Sequence, residues 1–146
     1  PAKRPSALLG QSAPDFVLPA ITGLDRPGLA RRDIVAGKAV VVNFWASWCL
    51  PCRAEAAELD ILSQAGKLAL MGIDYKDESE NARAFLKRTG NPFQRIGADE
   101  TGRTAIDWGV SGVPESFLIG PDGRILEHVE GPLSEETVRR WGAITR

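Results

Sequence analysis

Seven consecutive residues, Ala39-Val40-Val41-Val42-Asn43-Phe44-Trp45, carry a single polar side chain. Run length and β-branched content predict a strand buried on both faces, which requires layers of structure above and below its sheet. Asn43 inside that run needs internal hydrogen-bond partners. Directly after the run, a short polar corner delivers Cys49-Leu50-Pro51-Cys52, and a helical pattern begins. Cys52, Ala56, Leu59 and Leu62 form a stripe at three- and four-residue spacing up to about Gln64. The chain is thus a strand, a corner and a helix, with two cysteines at the corner.

The C-x-x-C spacing has three chemical readings. Haem attachment needs His after the second Cys, where this chain has Arg53. A structural zinc site needs about four Cys or His ligands. With two Cys and one His, His128, zinc would require carboxylates or a second chain. The strand-corner-helix context favours a redox dithiol. A sulfur at the helix start faces unpaired backbone N–H groups and the positive end of the dipole, so Cys49 is the expected nucleophile. Cys52, one turn on, is the expected resolving and more buried thiol. Glu55 follows three residues later beside the inward stripe, and is the expected proton acceptor for Cys52. Asn43 cannot take that role, because a neutral amide does not titrate.

Around this unit, residues 1–11 read as a flexible arm, with Pro1, Lys3, Arg4 and Pro5 in its first positions. Residues 12–146 read as one domain. Strands are expected over Asp15–Ile21, Lys67–Asp74, Phe93–Ile96, Ser116–Ile119 and Arg124–Val129, the last two joined as a hairpin by Gly120-Pro121-Asp122-Gly123. Helices are expected over Glu78–Thr89, Thr101–Trp108 and Ser134–Ile144, with a helical turn over Leu29–Val35. The order implies an α/β fold: a mixed sheet with helices on both faces. Trp45, Trp108 and Trp141 read as core, Trp48 as an exposed partner contact beside the sulfur, and His128 as a surface histidine. Net charge is −1, with no basic stripe for nucleic acid and no apolar run of about 20 residues to span a bilayer. The first residue is Pro1 rather than Met, so a signal or anchor preceding it is compatible with the sequence.

The stretch Trp45-Ala-Ser-Trp-Cys-x-Pro-Cys52, the following Arg53-x-Glu55, Gly72-Ile-Asp-Tyr-Lys-Asp77 and Gly109-Val-Ser-Gly-Val-Pro-Glu-Ser-Phe117 together resemble the thioredoxin superfamily. More narrowly, they are similar to its DsbE/CcmG-type cytochrome c maturation oxidoreductases and their TlpA/ResA-like relatives. The resemblance runs from about Ala13 to Ile144 and implies a thioredoxin-like fold with an N-terminal β-hairpin extension. It implies a cis Val113–Pro114 bond against the dithiol, with the Val113 backbone offered to a bound polypeptide. Trp48, Leu50, Pro51, Val113 and Glu115 would form the substrate surface, and Glu55 would be the acid serving the dithiol. Asn43 departs from the general thioredoxin pattern, which has a buried Asp there, and agrees with the narrower branch. The implied protein is a periplasmic monomer without cofactor or metal, held at the inner membrane by an N-terminal segment. It would draw electrons from a membrane thiol donor of DsbD/CcdA type and reduce apocytochrome c or a partner dithiol protein. Rival readings are a TlpA-like reductase for copper-oxidase assembly and a metal-binding chaperone using Cys49, Cys52 and His128. A thiol peroxidase fits less well, since a Pro-x-x-x-Thr-x-x-Cys pocket motif is absent from the sequence.

Overall fold

The computed structural model describes residues 7–65 and 67–144. The apolar run forms β3 (Val40–Trp45), and all six residues are buried. It is the middle strand of a five-stranded sheet of order β5-β4-β3-β6-β7. Here β4 is Ala69–Tyr75, β5 Arg95–Asp99, β6 Glu115–Ile119 and β7 Ile125–Glu130. β4 runs parallel to β3 and β5, whereas β6 runs antiparallel to β3 and β7. The sheet is mixed, as the alternating first half and the late hairpin of the sequence require.

Alternation along β3 separates two cores. Val41 and Trp45 face a layer built by α2 (Leu50–Gln64), α3 (Ser79–Thr89) and α5 (Glu135–Gly142), through Leu59, Leu62, Phe85, Leu86, Val138 and Trp141. Val40, Val42 and Phe44 face α1 (Arg31–Ile34), α4 (Arg103–Asp107) and the N-terminal segment, through Ile34, Ala105, Trp108 and Phe16. Both faces are covered, which explains why β3 has no polar side. α5 starts as its sequence suggests: the Ser134 side chain accepts from Thr137 N–H.

β4 and α4 each begin two residues later than the sequence reading places them, and three further differences bear on the sheet edge and the core. The first strand is only Val17–Leu18, β1, and it pairs antiparallel with Leu29–Ala30, β2, where a helical turn was expected. The helix starts two residues later, at Arg31. This small hairpin covers the edge of β5: Ala98 N–H donates to Pro19 O, and Ile96 N–H donates to Pro27 O. Close approach is possible because a Cβ on Gly97 would lie 2.7 Å from Leu18 Cβ. β5 itself begins at Arg95, two residues later than expected. Phe93 is withdrawn into the core, where it and Phe85 both stack on Trp45, at 6.0 and 5.2 Å.

The expected arm over residues 1–11 is tied down in its described part. Gly10 N–H donates to Ile125 O, Ile125 N–H to Gln11 O, and Ala13 N–H to Gly123 O. Residues 1–6 lie outside the described residues.

Gly72 on β4 sits beneath the Trp45 ring. A Cβ there would come within 2.9 Å of Trp45 Nε1 and 3.0 Å of the Phe93 ring. Gly72→Ala is expected to lower stability by about 1–3 kcal/mol through overpacking, read by urea unfolding. An unchanged midpoint would mean that the stacked rings move aside freely.

Candidate active site

β3 ends at Trp45, and after three intervening residues the chain reaches Cys49, the N-cap of α2. Cys49 is extended (φ −96°, ψ 108°), and its sulfur accepts from Cys52 N–H at 3.2 Å. A first-turn N–H thus points at Cys49 Sγ, the arrangement that favours a thiolate once the sulfur is reduced. Pro51 lies in the first turn, where its missing N–H costs no helix bond. Cys49 and Cys52 are joined as a disulfide with Cα atoms 5.3 Å apart. Both are buried, at 5% and 3% exposure, so in this oxidised form the expected burial contrast between them is slight.

Two exposed side chains frame the sulfurs, Trp48 at 58% and Leu50 at 71%. Trp48 is nevertheless fixed. Its Nε1 donates to Lys76 O at 3.0 Å, and its ring lies 6.1 Å from that of Tyr75. Lys76 holds φ +45°, the left-handed region, which aims its carbonyl at the indole. Ser47 N–H and Oγ both bond to the Asp77 carboxylate, at 2.8 and 2.7 Å. Behind Asp77 stands Asp74, 3% exposed, whose carboxyl is pushed up to about 9 by burial and then by the hydrogen bond and charge of Asp77. At neutral pH Asp74 is therefore protonated and donates to Asp77.

Glu55 is buried at 1% exposure. Its Oε1 accepts from Asn43 Nδ2 at 2.9 Å, and its Oε2 accepts from Leu133 N–H at 2.7 Å. Burial raises its pKa above the usual carboxylate value against these two hydrogen bonds, and the charge of Glu58 adds to the rise. Asn43 also donates to Ser116 Oγ at 2.9 Å. A small cavity touches both Asn43 and Cys52, so Asn43 connects the carboxylate to the space beside the resolving sulfur. A raised carboxyl close to a thiol is a stronger base than a surface glutamate.

The Val113–Pro114 peptide bond is cis, and the Val113 carbonyl oxygen lies 3.5 Å from Cys49 Sγ. Pro114 is buried and Val113 is half-buried. Glu115 is placed differently from the other proposed partner contacts. At 3% exposure, its carboxylate turns to the sheet face opposite Glu55. Oε2 accepts from Ser111 N–H, Ser111 Oγ and Gly112 N–H at 3.0, 3.1 and 3.2 Å. It secures the loop from behind rather than presenting charge at its surface. His128 is not a surface residue: its side chain is 8% exposed, and Nε2 lies 2.6 Å from Glu115 Oε1.

The structure thus brings Cys49, Cys52, Trp48, Leu50, Pro51 and Val113 to one corner, with Glu55 beneath it and Glu115 behind the loop. Sequence reasoning missed Asp74, Ser116 and the Leu133 N–H. A lone acid at the end of the apolar stretch from Leu68 to Ile73 was a readable signal for the first, of the kind Asn43 gave. Leu133 contributes only backbone, which no side-chain pattern encodes.

Comparison with known proteins places this corner. The family model described as AhpC/TSA family matches residues 9–128. The chain belongs to the AhpC/TSA family. Among its relatives, the thiol:disulfide interchange protein CycY of Rhizobium leguminosarum bv. viciae is 49% identical over 131 residues, covering 90% of this chain and 69% of its own. The DsbE homolog of Paracoccus denitrificans, also a thiol:disulfide interchange protein, is 43% identical over 139 residues, covering 93% and 74%. A solved thiol-disulfide oxidoreductase from Bacteroides fragilis superposes with a TM-score of 0.75 at 28% identity, covering 89% of this chain and 96% of that one. This AhpC/TSA chain therefore has the thioredoxin-like fold, and its Cys49–Cys52 pair is that of a thiol:disulfide oxidoreductase.

Proposed function

We propose that this chain reduces protein disulfides in cytochrome c maturation, keeping apocytochrome c or a partner dithiol protein reduced for haem attachment. The observation that carries the reading is the Cys49 sulfur at the N-cap of α2, bonded by Cys52 N–H and facing the Val113 carbonyl. In the reduced protein, Cys49 thiolate attacks one sulfur of the partner disulfide. That bond breaks, and the other partner sulfur leaves as a thiolate. Cys52 gives its proton to Glu55 and attacks Cys49 Sγ. The Cys49–Cys52 disulfide forms, the partner leaves as a dithiol, and two electrons have passed to it. A membrane thiol donor of DsbD/CcdA type restores the dithiol by the same exchange in reverse. Trp48, Leu50, Pro51 and Val113 form the contact surface, with Glu115 shaping it from below.

The domain over residues 12–146 carries the whole reaction as a monomer. We place it in the periplasm, tethered to the inner membrane by a segment ahead of this sequence. No helix among the described residues is long and apolar enough to cross a membrane.

The test uses a peptide containing an oxidised Cys-x-x-Cys-His. Reduced Cys52→Ala protein is expected to accumulate one covalent adduct through Cys49, seen by mass spectrometry. Cys49→Ala protein should form none. Equal adducts with both variants would overturn the assignment of roles. Failure of the wild-type protein to reduce the peptide would overturn the function.

A further inference from the structure

His128 lies on β7, the edge strand beside β6, and its ring stacks on Phe117 at 4.1 Å and 13°. The stack fixes the ring plane and leaves Nε2 aimed at Glu115 Oε1, 2.6 Å away. Glu115 Oε2 already accepts from three donors, so we assign the carboxylate as acceptor here too and place the hydrogen of this contact on Nε2. Glu115 divides its two oxygens. Oε1 takes the imidazole, while Oε2 takes Ser111 N–H, Ser111 Oγ and Gly112 N–H. The next residue after these donors is Val113, whose carbonyl lies against Cys49 Sγ. A continuous chain therefore runs from the sheet edge to the sulfur: Phe117 holds His128, His128 holds Glu115, and Glu115 holds the 111–112 backbone.

We propose that His128 is a positioning residue which, through Glu115, sets the Val113 backbone for binding a polypeptide disulfide. The proposal rests on the reading that the partner is a polypeptide laid against this loop. Without the Nε2 donor, Oε1 is left buried and unpaired, and the carboxylate must swing toward another donor or toward water. Either movement takes Oε2 away from Ser111 and Gly112. The loss falls on substrates that use the loop. A small disulfide reaches Cys49 without the Val113 backbone and is attacked as before.

Two substitutions separate the donor from the packing. His128→Phe keeps a ring to stack on Phe117 but has no donor. His128→Gln keeps a donor but has no ring. The probes are the oxidised Cys-x-x-Cys-His peptide and the small aromatic disulfide 5,5′-dithiobis(2-nitrobenzoate), each given to reduced protein. For His128→Phe, kcat/KM on the peptide is expected to fall about ten- to a hundredfold, with the small disulfide unaffected. His128→Gln should keep most of the peptide rate. An equal fall on both probes, or loss in Gln but not in Phe, overturns the proposal, because it assigns His128 to packing alone. If His128→Phe does not fold, the Gln variant decides: a retained peptide rate supports the donor role, and a lost one refutes it. A wild-type protein that attacks the small disulfide but not the peptide overturns the polypeptide reading as well, which tells the two failures apart.

Discussion

Replacing Asp74 by Asn is expected to make the protein more stable at neutral pH, by an amount that grows with pH. The Asp74 carboxyl titrates near 9 in the folded chain, far above the 3.8 of a free aspartate, because it is buried and donates to Asp77. Between those values the folded state keeps a proton that the unfolded state releases. Wild-type stability must therefore fall as pH rises through this window, by up to about 1.4 kcal/mol per pH unit. The contribution is complete below about pH 4 and gone above about pH 9. The amide introduced by Asp74→Asn would donate to Asp77 without titrating. The gain should be near zero at pH 4 and on the order of 4 kcal/mol at pH 7. Urea unfolding of both proteins from pH 4 to 9 measures it. Curves that stay parallel across the range would show that Asp74 is not protonated in the folded protein.

The second large effect concerns the resolving step. Glu55→Gln is expected to slow attack of Cys52 on the mixed disulfide by about 10²-fold or more at neutral pH, the range for loss of a positioned base. The first attack, by Cys49, should be unchanged. In the variant, resolution should quicken as pH rises, because Cys52 must then lose its proton to solvent. Gln also brings an amide N–H₂ to a site where Asn43 Nδ2 and Leu133 N–H already donate. Thermal unfolding measured beside the kinetics separates that clash from the lost base. Resolution rates that match wild type from pH 6 to 9 would remove Glu55 from the mechanism.

The architecture was legible because its main determinants are local and periodic. Val40–Trp45 has no polar side, and a strand with no polar side belongs at a sheet centre. Ala82, Phe85 and Leu86 mark the inner face of α3. The β1–β2 hairpin was legible only through the family resemblance, which implies an N-terminal hairpin, and not from the residue pattern. Its two-residue strands bury Leu29 and Ala30 but expose Val17, so no alternation is long enough to read. β5 was misplaced because Arg95, Gly97 and Asp99 interrupt its apolar pattern, and because Phe93 serves the Trp45 stack instead.

The site divides in the same way. Cys49, Cys52 and Glu55 follow from spacing on one helix, since three residues make nearly one turn. His128 was read as a surface residue because its neighbours Glu127 and Glu130 are charged. Its partner Glu115 is thirteen residues away in sequence and adjacent only through the β6–β7 pairing. The hairpin itself was legible, but the register shift between Leu118 and Ile119 that pairs Phe117 with His128 was not.

The attachment of residues 10–13 has a practical consequence. Phe44 pairs with Glu115 and Val40 with Ile119, so the turn after β6 lies at the end of the sheet away from the dithiol. Gly10, Gln11 and Ala13 bond to that same end, at Gly123 and Ile125. The described chain therefore enters the fold at the pole away from the dithiol. An electrode or bead coated through that end would display the Cys49 sulfur outward, and direct electrochemistry of the dithiol could be read from oriented protein.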